Sequence, residues 1–137
     1  MQCMTEEWKI TGAGQDKTFV HGGFKIKGKK EKGKKVELKD MAISNGEGCG
    51  LESSNGLSFL CDRLTFTECG SHGVSAYNTE GRLINCVITQ CGWSGIFCNI
   101  NALIEVRPKF MGMGQKGIIL MDCVLMNNRP ESFFLHH

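Results

Sequence analysis

Proline is scarce in this chain, 2 residues in 137, whereas glycine reaches 18. That balance excludes a proline-rich linker and favours a fold made of many short elements joined by turns. No apolar stretch approaches the roughly 18 residues of a membrane span, so a membrane-crossing helix is not expected. The opening Met-Gln-Cys-Met-Thr-Glu-Glu carries neither the basic nor the apolar region of a secretory leader, and no Asn-x-Ser/Thr site occurs. An intracellular setting is therefore expected. There the 8 cysteines would be reduced and packed as small hydrophobes instead of forming a disulfide framework. No Cys-x-x-Cys pair exists to suggest zinc. Neither a metal nor a cofactor is expected.

Charge is low overall but uneven. Seven lysines (25, 27, 29, 30, 32, 34 and 35) stand against Glu31 in one segment, a local +6. With the whole chain at +2, the remainder carries −4. This segment holds two near-matches to a phosphate loop, Gly23-x-x-x-x-Gly28-Lys29-Lys30 and Gly28-x-x-x-x-Gly33-Lys34-Lys35. Both lack the Ser/Thr that would hold Mg²⁺, and the following Val36-Glu37-Leu38 reads as strand where a helix is needed. Nucleotide binding is rejected. As a basic surface, Lys29, Lys30, Lys32, Lys34 and Lys35 could meet an acidic protein or an acidic polysaccharide. Nucleic acid is not expected, because Phe24 is the one aromatic available for stacking.

What the chain does have is a repeat. Glu68-Cys69-Gly70-Ser71-His72-Gly73-Val74 and Gln90-Cys91-Gly92-Trp93-Ser94-Gly95-Ile96 lie 22 residues apart, with Cys, Gly, Gly and a β-branched residue in register. Aligned on these words, Leu38 to Ser44, Cys61 to Thr67 and Leu83 to Thr89 superpose. Apolar residues alternate in each (Leu38, Met41, Ile43; Cys61, Leu64, Phe66; Leu83, Cys86, Ile88). Period-2 alternation with one buried face defines strands. A glycine turn then leads to a second short strand beginning near Leu51, Val74 or Ile96. Repeats of this length are coils of a solenoid. In this register Cys69 stacks on Cys91, Lys39 on Asp62, and Asp40 on Arg63 and Asn85, the charged columns reading as cross-coil salt links. Leu120 to Asn127 reads as a further copy of Leu83 to Gln90, after an insertion around Arg107 to Lys116. That register places Cys123 under Cys86.

Upstream, Ile10, Gly12, Gly14, Thr18, Val20 and Gly22 follow a pattern common in the early coils of right-handed parallel β-helix proteins. With the later coils, this segment resembles the pectin-lyase-like superfamily, in wording nearest to β-helix proteins of algae, protists and their large DNA viruses. The resemblance implies an all-β, single-stranded right-handed parallel β-helix of about four or five coils of 22–23 residues. It covers residues 8 to about 106. It implies one domain over 1–137: a first coil at 8–35 with the lysine-rich loop, regular coils at 36–106, and 107–137 as an insertion with a further coil or cap. Members of this superfamily commonly begin with a helix and strand that seal the first coil, and this chain has about seven residues before Trp8. Open solenoid ends would then invite self-association or a protein partner.

The resemblance also nominates an active site. Ser71-His72-Gly73-Val74-Ser75 is similar to the Gly-His-Gly-x-Ser segment of polygalacturonases, and Arg107-Pro108-Lys109 to their Arg-x-Lys. Candidate catalytic residues are thus His72, Arg107 and Lys109. Inverting glycoside hydrolysis also needs two carboxylates. The residue one coil before His72 is Cys49, flanked by Gly48, Gly50 and Leu51, so the acids are missing and His72 reads as a solvent-facing turn residue. A second candidate surface is aromatic. Trp93 occupies a turn position aligned with Ser71, and Tyr77 and Phe97 come from adjacent coils, a set suited to contact with a protein or a sugar ring. The expectation is a non-catalytic scaffold or interaction module within a larger assembly, a virus particle being one such setting. The alternative is a carbohydrate-binding or carbohydrate-active β-helix.

Overall fold

The computed structural model describes residues 2–28, 34–93, 95–99 and 102–107, together with short strands at 111–112, 115–116, 120–121, 125–127 and 133–135. Period-2 stretches become strands, and the strands stack. One sheet holds β1 (Gln2–Met4), β4 (Phe24–Ile26), β6 (Leu51–Ser54), β8 (Val74–Tyr77), β11 (Ile96–Asn99) and β16 (Leu125–Asn127), side by side in that order. Every pairing in it is parallel. The second sheet runs through β2 (Trp8–Thr11), β5 (Lys35–Ser44), β7 (Ser58–Thr67), β9 (Glu80–Ile84), β12 (Leu103–Arg107) and β17 (Phe133–Leu135). It continues round a corner into β3 (Phe19–His21), β10 (Val87–Thr89) and β15 (Leu120–Met121), with β5 and β7 long enough to serve both faces. Sequential strands thus never pair with each other here; each pairs with its equivalent one coil away, which defines a parallel β-solenoid. β13 (Met111–Gly112) and β14 (Gln115–Lys116) stand apart as an antiparallel pair.

The repeat length follows from the register. Leu51 pairs with Val74 and Val74 with Ile96, so one circuit takes the chain back to the same column. Two inward columns are wholly apolar: Phe24, Leu51, Val74, Ile96 on the first sheet, and Leu38, Cys61, Leu83, Val106 on the second. All of these side chains are buried. Each large one stabilises the stack by roughly 1.5–3 kcal/mol through removal from water. Among the described residues, the two buried hydroxyls are satisfied. Ser53 donates to the Leu57 carbonyl at 3.5 Å, and Thr79 reaches the Gly56 and Leu57 carbonyls at 3.2 Å each.

Corners depend on left-handed residues arranged in columns. Asp40 (φ 56°), Arg63 (φ 54°) and Asn85 (φ 53°) make one column. Asn55 (49°) with Asn78 (51°), and Glu68 (52°) with Gln90 (55°), make two more. A single left-handed residue reverses the twist of an extended strand and turns it onto the next face, and Asn tolerates it best among non-glycines. The corner columns also bond to one another. Asn78 Nδ2 donates to Asn55 Oδ1 at 2.9 Å, and Arg63 Nε to Asp40 Oδ1 at 2.6 Å. The expected stacking of Asp40 on Arg63 is thus an ion pair between coils, and it holds the Asp40 carboxyl below its ordinary range.

Two features depart from the sequence reading. Ahead of Trp8, Gln2–Met4 adds a rung to the first sheet, and Met4 is fully buried there. Toward the other end, Leu120 pairs with Ile88, and Leu125 with Ile96. Leu120–Met121 therefore continues the column of Ile88, and Leu125–Asn127 that of Ile96, where the sequence suggested a copy of Leu83 to Gln90. The reason is that one Leu-rich alternation resembles another once an insertion has removed the 22-residue spacing. Cys123 lies outside the described residues.

Candidate functional site

The repeated Cys-Gly words build a ledge at the corner where the second sheet returns to the first. Gly92 N–H donates to the Cys69 carbonyl at 2.8 Å, Trp93 N–H to Ser71 at 3.0 Å, and Gly70 N–H to Asn45 at 2.8 Å. These bonds draw the three turns so close that a Cβ on Gly70 would overlap the Gly46 carbonyl, and one on Gly92 the Gly70 carbonyl. Glycine is required there by the approach of the turn one coil before. The ledge then projects Ser71 and His72 from one coil and Trp93 from the next.

His72 lies in its turn as the sequence suggested, but it is partly buried there. Its imidazole lies between two aromatic rings. Phe97 stacks on it at 4.7 Å between centroids and 10° between planes, and Trp93 meets it edge-on at 5.5 Å and 76°. Burial lowers the His72 pKa, so the ring is neutral over most of the physiological range. Its Nδ1 is buried with no hydrogen-bond partner among the described residues. Phe97 is half-buried beneath this arrangement, whereas Trp93 stays 67% exposed. An exposed indole packed on a half-buried imidazole–phenyl pair has its orientation set by that pair. Tyr77 points to the same outer side of the first sheet, two residues further along its strand than the Phe97 column, and is not part of the stack.

Cys49 lies one coil before His72, as the register required, since Gly50 N–H donates to the His72 carbonyl at 3.2 Å. Burial pushes its thiol pKa up, outweighing donors from the His72 backbone and the Ser71 hydroxyl. A protonated thiol beside a neutral imidazole is not an activated nucleophile. Carboxylates do not repair this. The outward column of the first sheet reads Cys3, Lys25, Glu52, Ser75, Phe97. Its single acid, Glu52, is paired with Lys25 at 3.4 Å. Among the described residues no group of three His, Cys, Asp or Glu side chains could hold a metal ion.

The other sequence candidates are dispersed. Arg107 ends β12 in the second sheet, beside Ile84, while His72 sits in the turn that opens the first sheet. Lys109 lies outside the described residues, as do Lys29, Lys30 and Lys32. Of the remaining lysines, Lys34 is exposed, and Lys35 opens β5 and pairs with Glu37 at 3.5 Å. The Lys25 and Lys35 pairings are what the sequence reading missed. Charge counting along the chain cannot see Glu52, which reaches Lys25 only through the next coil.

The stacked parallel strands, three-faced coils and left-handed corner columns together define a β-solenoid of about four turns. Residues 9–129 match a family model described as right-handed β-helix region. The chain belongs to the right-handed β-helix family, and the resemblance to pectin-lyase-like proteins is consistent with this. A search of curated proteins and one of solved structures each return no match.

Proposed function

We propose that this protein is a non-catalytic interaction module, working within a larger protein assembly and presenting the ledge around Trp93 as a contact surface. The observation that carries this reading is the state of His72. The residue most similar to a polygalacturonase catalytic group packs against Phe97 and Trp93, and among the described residues the outward column beside it offers one carboxylate, already paired with Lys25. Hydrolysis by inversion needs an acid and a base on opposite sides of the sugar. Positioned aromatic area, by contrast, is the currency of protein contacts: a Trp at the centre of an interface often contributes more than 2 kcal/mol.

Sedimentation velocity tests the reading. The wild-type chain is expected to form concentration-dependent assemblies, and Trp93→Ala to shift them toward monomer. A wild-type monomer at every concentration, with no complex formed in its native setting, would count against it.

One observation favours a second reading, simple glycan binding. The exposed Trp93 ring, held from beneath, also suits a sugar face. On an immobilised glycan array that reading predicts retention by the wild type and its loss in Trp93→Ala, with sedimentation unchanged.

A further inference from the structure

Cys69 and Cys91 are the pair that the repeat itself creates. They occupy equivalent places in successive coils, joined by the bond from Gly92 N–H to the Cys69 carbonyl at 2.8 Å. Their thiols take the same orientation. Each Sγ lies 3.7 Å from the carbonyl two residues earlier, Thr67 or Thr89. Each also fills the space beside a glycine of the preceding coil, with Cys69 Sγ 3.1 Å from a Cβ built on Gly50 and Cys91 Sγ 3.2 Å from one built on Gly73. Equivalent positions on neighbouring parallel strands are about 4.8 Å apart. That is inside the Cα separation a disulfide spans, so the bond requires rotation of the side chains and a small closing of the two turns.

We propose that Cys69 and Cys91 form a reversible thiol–disulfide couple that staples two successive coils directly beneath the Trp93 ledge. A hydroperoxide is the class of oxidant that suits the site, because it is small enough to reach two cysteines that are only 2% and 6% exposed. The Cys69 thiolate attacks one peroxide oxygen, the O–O bond breaks, hydroxide leaves, and Cys69 becomes a sulfenic acid. The Cys91 thiol then attacks the Cys69 sulfur. The S–S bond forms, the S–O bond breaks, and the departing hydroxide takes the Cys91 proton as water. The two sulfurs are oxidised, the peroxide is reduced to water, and an external thiol restores both groups.

The surroundings favour this pair over the other buried thiols. Its thiol pKa is lowered, first by the Cys91 side chain and also by backbone donors at Asn45 and Gly50. The other buried thiols are held protonated by burial: Cys61 is pushed well up, and Cys86 and Cys98 each to about 12. Only the thiolate reacts.

The test is peptide mapping of the folded protein after brief hydrogen peroxide, with remaining thiols alkylated before unfolding. Trypsin releases residues 64–82, in which Cys69 is the sole cysteine, and 83–109, which holds Cys86, Cys91 and Cys98. The expected product is one cross-linked pair of these peptides, lighter by two hydrogens and reversed by dithiothreitol. In Cys91→Ser or Cys91→Ala the cross-link disappears, and in Cys91→Ser, whose hydroxyl can still donate to Cys69, dimedone traps a Cys69 sulfenic acid. Circular dichroism confirms that each variant is folded. Persistence of the cross-link in both variants would assign the partner to Cys86 or Cys98 and overturn the proposal. So would oxidation confined to the exposed Cys3. Because the readout is covalent, it does not depend on what Trp93 contacts.

Discussion

Gly81 offers the sharpest way to challenge the packing. It pairs with Phe59 in the second sheet, and both face the interior. A Cβ built on Gly81 would fall within the Phe59 ring, against three of its carbons. The coil containing Gly81 thus leaves a notch, and the ring from the coil before fills it. Gly81→Ala should force Phe59 off its rotamer and cost about 1–3 kcal/mol. Phe59→Ala should cost about 3–5 kcal/mol by leaving a cavity. In the double variant the new methyl enters space that the ring has vacated. The combined loss should therefore fall short of the sum of the single losses by about 1–3 kcal/mol, the coupling typical of residues in contact. Urea unfolding followed by circular dichroism measures all three. If Gly81→Ala is neutral, or the two losses add within about 0.5 kcal/mol, the ring does not occupy the notch and the stacking register is wrong.

Three further outcomes are expected. Asn78→Ala removes the 2.9 Å bond to Asn55 and puts alanine at φ 51°, so it should cost about 1–2 kcal/mol, with Asn78→Gly recovering part of that in the same unfolding assay. Arg63→Ala breaks the exposed pair with Asp40, and exposed pairs contribute at most about 1 kcal/mol, so its unfolding midpoint should move little and less still in high salt. The folded-state pKa of His72 lies below the ordinary 6.5. The unfolded chain therefore binds the proton more readily, and stability should decline as pH falls from about 6.5 through the folded value; in His72→Phe that part of the pH dependence should vanish.

Much of the architecture is legible in the sequence because a solenoid writes its third dimension as a period. Leu38, Cys61 and Leu83 are one column in the chain and one column in the molecule, and Asp40 over Arg63 follows from the same count. The reading weakens where the period is interrupted. Gln2–Met4 is too short to show alternation, and the insertion after Arg107 leaves Leu120 with two plausible registers, of which pairing with Ile88 is the one adopted.

The candidate site was legible only in outline. Counting places Cys49, His72 and the turn of Trp93 at one corner, but counting gives positions and not the direction of rings. That Phe97 reaches back under His72 depends on side-chain packing across a turn, which no spacing encodes. The same holds for Lys25, which looks like part of an unopposed cationic loop until the next coil supplies Glu52. In both cases the partner is a coil away, and the sequence shows the column without the contact.

The central proposal is that His72, placed like a histidine of polygalacturonases, belongs to a contact surface. Its most direct test is turnover of acidic polysaccharides, read as new reducing ends and as unsaturated products, by the wild type and His72→Ala side by side. The account predicts that neither protein exceeds the blank. Turnover by the wild type that His72→Ala abolishes would contradict it.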